Sequence, residues 1–260
     1  MAKTILITGS TDGIGLLTAK TLTQRGHRVL MHGRNADKLA STVAEAGGAA
    51  SFLADLSDLR AVGAIADEVL EKEPAVDVLI NNAGVLKAPQ TVTPDGLDIR
   101  FAVNTLAPVV LTRKLLSIMP KDGRVVSLSS AAQARVNADA MAGRLPLDEM
   151  GAYAQSKLAL TIWSQEMAKE LPNGPMMIAV NPGSLLASKM VKEGFGIAGN
   201  DLGVGADILC RAALDAEFAE ASGRYFDNDA GRFAAPNAAA ADAAHCEAVM
   251  RAIDQTLQGI

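Results

Sequence analysis

From the first residues to about residue 180, short unbroken apolar runs alternate with stretches of helical spacing, and this restricts the fold more than any single motif does. Residues 3–8 form the first run, and 13–25 carry Ile14, Leu17 and Leu22 on one helical face. Strands at 28–33, 51–54 and 76–80 are interleaved with a helix over 36–46 and another bearing Val62, Ile65, Val69 and Leu70. A long helix over about 98–118, a strand at 123–128, a helix over 151–170 and a strand at 176–180 continue the series. Strands that alternate with helices predict parallel βαβ units. Strands without polar alternation predict a sheet covered on both faces. The expected class is α/β. Beyond it, 183–203 read as a flap, 205–219 as a helix, 223–226 as a seventh strand at the sheet edge, 227–240 as a loop and 241–258 as an amphipathic helix.

A chain of 260 residues suits one domain spanning 1–260, with substrate-side insertions at about 131–150 and 184–203. Apolar residues at 49% and charged residues at 20% give a globular chain with a sizeable core. The net charge of −5 and the lack of a basic run argue against nucleic acid. The two cysteines, Cys210 and Cys246, form no C-x-x-C pair, so neither a disulfide framework nor a metal site is expected, and a reducing compartment fits. Met1-Ala2-Lys3 runs straight into the first strand without a secretory leader. No apolar stretch reaches a membrane-spanning length. A cytoplasmic protein without a membrane segment is the expectation.

The first strand runs into Thr8-Gly9-Ser10-Thr11-Asp12-Gly13-Ile14-Gly15, where a helix opens. Glycines permit a tight turn and close backbone approach to a pyrophosphate, and the helix N-terminus supplies free N–H groups and positive potential. Many NAD-binding sheets place a carboxylate at the end of the second strand. Here Gly33 and Arg34 stand there, with no acid to repel a 2′-phosphate and a guanidinium to bind it. NADP(H) is therefore preferred and NAD(H) possible; a solvated loop charge is the plainer reading of Arg34. Asp55-Leu56 follows the third strand, within reach of an adenine edge. Asn81-Asn82-Ala83-Gly84 follows the fourth, at the edge where such sheets bind ligands.

Tyr153 and Lys157 are four residues apart, on one helical face, with Ser130 at the end of an apolar run upstream. A nearby cation lowers a phenol's pKa and fits it for proton transfer. Alone, the pair reads more readily as a packed ring beside a snorkelling amine.

Together these residues, with Asn104 and Asn181-Pro182-Gly183 in order, resemble the short-chain dehydrogenase/reductases of the single-domain branch. The resemblance covers almost the whole chain. It implies a Rossmann-type, doubly wound, mostly parallel seven-stranded sheet with helices on both faces. It implies a tetrad of Asn104, Ser130, Tyr153 and Lys157, with Ser129 competing for the serine role. Tyr153 would be the general acid or base, Ser130 would hold the substrate oxygen, Lys157 would lower the Tyr153 pKa and bind the nicotinamide ribose, and Asn104 would position a water. The cofactor would be held by Gly9, Ser10, Thr11, Gly13, Ile14, Gly15, Arg34, Asp55, Leu56, Asn82, Ala83, Gly84, Tyr153, Lys157, Pro182, Gly183, Leu185 and Ser188, without a metal. Two departures stand out. Ser130 and Tyr153 are 22 residues apart, as in the branch of retinol dehydrogenases and protochlorophyllide reductases. Ala187 stands where a cofactor-contacting Thr is usual, with Ser188 one residue later. The resemblance also implies a homodimer or homotetramer built on the helices at about 98–118 and 151–170, where Leu160, Ile162 and Trp163 look exposed; packing in the core is the other reading of these residues. Leu185, Leu186, Met190, Phe195 and Ile197 are either an apolar substrate lining or contacts of a short helix. The reaction expected is hydride transfer between nicotinamide and a small-molecule carbonyl or alcohol. A non-catalytic NADP-binding sensor or scaffold of the same fold is the rival reading.

Overall fold

The computed structural model describes residues 1–187, 196 and 198–260. Ser188, Met190, Phe195 and Ile197 lie outside the described residues. The apolar runs form β1 (Thr4–Ile7), β2 (Arg28–Gly33), β3 (Ala50–Leu53), β4 (Val78–Asn81), β5 (Arg124–Leu128) and β6 (Met176–Asn181). Between them lie α1 (Gly13–Gln24), α2 (Ala36–Ala46), α3 (Leu59–Lys72) and the continuous helix α4 (Ile99–Ile118). The short α5 (Ala138–Met141) and the long α6 (Glu149–Glu170) follow β5, and α7 (Leu202–Leu214) follows β6. The chain ends with β7 (Tyr225–Asp227), β8 (Arg232–Ala234) and α8 (Ala243–Gln258).

The sheet has eight strands in the order β3-β2-β1-β4-β5-β6-β7-β8, all parallel except the last pair. The expected count was seven. The extra strand falls inside the predicted loop, where Phe226 and Phe233 pair in register and meet edge-on at 5.1 Å beside Phe218. That apolar packing holds a hairpin that three residues in a Gly- and Asn-rich stretch do not announce.

Side chains alternate across the sheet and fill two cores. Leu6, Leu79, Val125 and Met177 face α3, α4, α6 and α8. Ile5, Ile7, Val78, Ile80, Val126 and Ile178 face α1, α2 and α7. Asp12, Asn35, Asp58, Asp148, Asp201 and Asp242 cap the helix starts with side-chain oxygens on free amides. Asp201 starts α7 three residues before the expected 205, and Asp215 ends it before 219.

Two expectations about helix surfaces change. Leu160, Ile162 and Trp163 are at most 1% exposed, because α8 packs on α6 and places Cys246, Val249 and Ile253 in the same core. They are interior residues, not an open interface. Helix α4 is long and apolar enough to cross a membrane by composition, but two-thirds of that stretch is buried in the fold, as in a core helix.

Candidate active site

The strand order turns between β1 and β4, where loops leave in opposite directions and open a crevice at the carboxyl edge. Thr8, after β1, closes the floor of that crevice. Its hydroxyl accepts hydrogen bonds from the amides of Asn82 and Ala83, each at 3.0 Å. The Asn82 amide returns the contact to the carbonyls of Thr8 and Gly9, at 2.8 and 3.0 Å. The glycine turn thus rests on the Asn82-Ala83 turn. Gly9 adopts φ of 63°, and a Cβ there would stand 3.0 Å from the Ala83 Cα. Gly15 lies against the Gly9 carbonyl, so a side chain would push the turn off α1. With the α1 N-terminus beyond, the backbone here suits a pyrophosphate, which is the fit a dinucleotide requires.

Individual residues in this region sort differently from expectation. Ser10 is fully buried, and its hydroxyl is engaged by the His32 backbone: it accepts from the amide at 2.9 Å and donates to the carbonyl at 3.3 Å. Its side chain is structural. Leu56 is 6% exposed and turns into the core, leaving only its main chain to face a nucleotide. Asp55 is exposed, with one oxygen engaged by the amide and hydroxyl of Ser57. Arg34 is exposed and has no partner among the described residues. A Cβ at Gly33 would meet the Thr11 methyl at 2.5 Å, so a larger residue at that strand end requires the Thr11 side chain to shift. Lys38 pairs with Asp12 at 2.6 Å beside the same turn.

His32 belongs to no motif of the expected site, yet it joins three strand ends. Its Nδ1 accepts from the Gly9 amide at 3.1 Å, so Nε2 carries the proton and donates to the Ala54 carbonyl at 3.1 Å. Burial pushes its pKa down to about 4, against smaller opposing effects of that hydrogen bond and of Asp55. The ring is therefore neutral under ordinary conditions. The signal was present: a histidine inside the apolar run R-V-L-M-H-G needs buried partners.

The chemical end of the crevice is built by β5 and α6. Lys157 is buried, and its Nζ donates to the Leu128 carbonyl at 2.7 Å. Burial lowers its pKa to about 8. The same Nζ lies 5.7 Å from the centre of the Tyr153 ring. Ser129 is buried and turned toward α6, where its hydroxyl meets Thr161 Oγ1 at 2.6 Å. Ser130 is half-buried; its hydroxyl accepts from the Ala132 amide at 3.1 Å, and its side chain stands near enough to Tyr153 to lower the phenol's pKa. The structure thus separates the two serines: Ser129 braces the helix and Ser130 faces the phenol.

Tyr153 does not behave as the sequence suggested. Burial raises its pKa above the ordinary phenol value, and the Ser130 hydrogen bond pulls the other way without cancelling it. Lys157 donates to the Leu128 carbonyl, and its Nζ lies over the ring, 5.7 Å from its centre.

Asn104 lies in a π-helical turn, Ala102–Leu106, that interrupts α4. Such turns are common at functional sites. Its side chain is fully buried and clamps Val85: Oδ1 accepts from the Val85 amide at 2.8 Å, and Nδ2 donates to the Val85 carbonyl and to Ser156 Oγ, both at 3.0 Å. Ser156 donates in turn to the Tyr153 carbonyl at 2.7 Å. Asn104 therefore joins the loop after Asn82-Ala83-Gly84 to the helix carrying Tyr153. Buried Arg100 adds a second tie through Leu86, Asp98 and Glu149.

After β6, Gly183 adopts φ of 124° and Leu185 a left-handed φ of 53° while 42% exposed. Asp229 holds this turn by accepting from the Ser184 amide and hydroxyl and from Asn181 Nδ2. A separate cavity of about 410 Å³ opens at the amino edge of the sheet beside Arg124, far along the strands from Ser130. Arg124 is engaged there with the Ala212 and Asp215 carbonyls, completing the end of α7.

This arrangement is that of a nucleotide-dependent oxidoreductase, and comparison with known proteins gives the family. The short chain dehydrogenase pattern matches residues 3–196. The chain belongs to the short-chain dehydrogenase/reductase family, whose members exchange hydride between a CH–OH or C=O carbon and a nicotinamide nucleotide. It is 30% identical to human retinol dehydrogenase 13 over 270 aligned positions, covering 91% of this chain and 79% of that one. The chain spans roughly three-fifths of the length of other retinol dehydrogenases it matches. An uncharacterised protein from Mycobacterium paratuberculosis superimposes with a TM-score of 0.81 at 28% identity, covering 98% of this chain and 93% of that one. A short chain dehydrogenase from Burkholderia cenocepacia J2315, in complex with NADP, gives 0.68 at 28% identity, covering 87% and 95%.

The His32 geometry makes a stability prediction. Above pH ~6.5 both folded and unfolded histidine are neutral; below it only the unfolded chain takes up the proton, until about pH 4. Stability from this group is present above that window and lost as pH falls through it, by roughly 3 kcal/mol. Between pH 7 and 4, urea unfolding of His32→Gln is expected to lose roughly 3 kcal/mol less stability than the native protein. Equal losses would contradict the assignment.

Proposed function

We propose that the protein is an NADP(H)-dependent oxidoreductase that moves a hydride between nicotinamide and a small-molecule carbonyl or alcohol. The observation that carries this reading is the Tyr153 ring over the buried Lys157 amine, with Ser130 near enough to act on the phenol, at the strand ends that also cradle the glycine turn. The nucleotide supplies the hydride when bound.

In reduction, Tyr153 donates its proton to the carbonyl oxygen as charge develops there; in oxidation it takes the proton back. Its raised pKa favours the protonated form that reduction needs. Ser130 donates to the same oxygen and helps hold its charge. Lys157 supplies positive potential beneath the ring and a donor for the nicotinamide ribose. Asn104 holds the Val85 turn and, through Ser156, the α6 backbone at Tyr153. The water-positioning role expected of it remains part of the proposal. The cofactor contacts proposed are Gly9, Thr11, Gly13, Ile14, Gly15, Arg34, Asp55, Asn82, Ala83, Gly84, Pro182, Gly183, Leu185 and Ser188, with Ser10 and Leu56 limited to main-chain contact.

The preference for NADP rests on the unpartnered Arg34 and side-chain-free Gly33, and on the relative from Burkholderia cenocepacia with NADP bound. The relatives named retinol dehydrogenases fit a carbonyl–alcohol pair. The reading retains a cytoplasmic location. It also carries over a homodimer or homotetramer from the family resemblance, without support from the apolar face of α6, which α8 covers.

Following NADPH absorbance against a panel of aldehydes and ketones tests the reaction. Tyr153→Phe is expected to lower kcat by about 100-fold or more while leaving the Kd for NADPH within a few-fold of native. Native turnover by that variant would exclude the mechanism, and NADPH binding without turnover of any carbonyl by the native protein would favour the sensor. Arg34→Asp is expected to raise KM for NADPH about 100-fold and to improve use of NADH, because repulsion replaces attraction at the 2′-phosphate. Unchanged KM values for both nucleotides would refute the Arg34 assignment.

A further inference from the structure

The family match ends at residue 196, yet side chains beyond it reach back to the reacting serine. The Ser130 carbonyl accepts two hydrogen bonds, from Tyr225 Oη at 3.1 Å and from Gln133 Nε2 at 2.9 Å. Gln133 Nε2 also lies 3.2 Å from Ser129 Oγ, which accepts from it. Gln133 is itself held at both ends of its chemistry by Asn237. Its Oε1 accepts from the Asn237 amide at 2.9 Å, and its backbone carbonyl accepts from Asn237 Nδ2 at 3.1 Å. Arg135 with Asp242 at 2.9 Å, and the Val136 amide on His245 Nε2 at 3.3 Å, fasten the next residues to the same C-terminal segment.

We infer that Gln133 and Tyr225 are positioning residues for Ser130, with Asn237 as the anchor through which the C-terminal segment sets the serine's aim. This rests on the role proposed above for Ser130. An amide and a phenol donating to one carbonyl fix the Ser130 peptide from two directions. The hydroxyl carried on that fixed peptide accepts from the Ala132 amide at 3.1 Å, so both its base and its aim are set. Tyr225 is 5% exposed, and its burial raises its pKa strongly, so it remains a neutral donor throughout the working range. Neither residue touches the phenol of Tyr153 or the amine of Lys157 in any hydrogen bond, so neither acts on the reacting atoms directly.

The test uses the full chain, NADPH and the carbonyl from the panel with the highest turnover. Tyr225→Phe removes one donor and keeps the ring. Gln133→Glu keeps the acceptor for the Asn237 amide and loses the donor to Ser130. Gln133→Leu loses both. Each variant is expected to lower kcat about tenfold or more, since misplacing a group that holds the developing charge acts on the chemical step. The Kd for NADPH and the melting temperature of Tyr225→Phe should stay near native. The double variant Tyr225→Phe/Gln133→Leu should fall by less than the product of the single effects, because both act on one peptide. A kcat within twofold of native in Tyr225→Phe and Gln133→Glu would overturn the inference, as would losses of NADPH affinity and thermal stability that account for the whole decline. Ser130→Ala separates the two failures. If it abolishes turnover while these variants do not, only this inference fails; if it turns over like the native protein, the reading of Ser130 fails with it.

Discussion

The site depends on a buried ammonium. Lys157 lies on α6 but donates to the last carbonyl of β5, so one hydrogen bond inside the fold ties the helix bearing the phenol to the strand bearing the serines. A buried cation without such a partner would be strongly disfavoured, and even with it burial brings the amine's pKa down to about 8. Ser129 reinforces the same junction through Thr161. The phenol is then held above a positive charge by packing, and its direction follows from the register of helix against strand.

The nucleotide end is assembled by the same logic. Thr8, Asn82 and His32 tie the exits of β1, β4, β2 and β3 to one another with buried hydrogen bonds. The glycine turn has no side chains with which to define its shape, so neighbouring strand ends define it. Asn104 joins this end to the other, since it grips the Val85 turn with one face of its amide and, through Ser156, the α6 backbone at Tyr153 with the other.

Much of this was legible in the sequence because it depends on local patterns. Unbroken apolar runs identified six parallel strands, and the G-x-x-x-G-x-G turn and the Tyr153–Lys157 spacing identified both ends of the crevice. What was not legible depends on contacts between distant residues. Strand β8 exists through the Phe226–Phe233 pairing. Leu160, Ile162 and Trp163 seemed surface-facing until α8, some 80 residues later, covered them. Ser10 and Leu56 carried the right types for nucleotide contact but spend their side chains on His32 and on the core. The Tyr153 shift runs opposite to the expectation because spacing reports that a cation is near, whereas burial dominates the phenol's titration.

The protein has two tyrosines, and burial together with Asp227 and Asp229 pushes the Tyr225 ionisation beyond the accessible range. Tyrosinate absorbance against pH therefore follows Tyr153 almost alone. The account predicts an apparent pKa above ~10 in the free protein, because burial dominates. It predicts a downward shift with saturating NADP⁺, whose ring adds a second positive charge beside Lys157. A phenol that ionises at or below its ordinary value in the free protein, or that does not respond to NADP⁺, would contradict it.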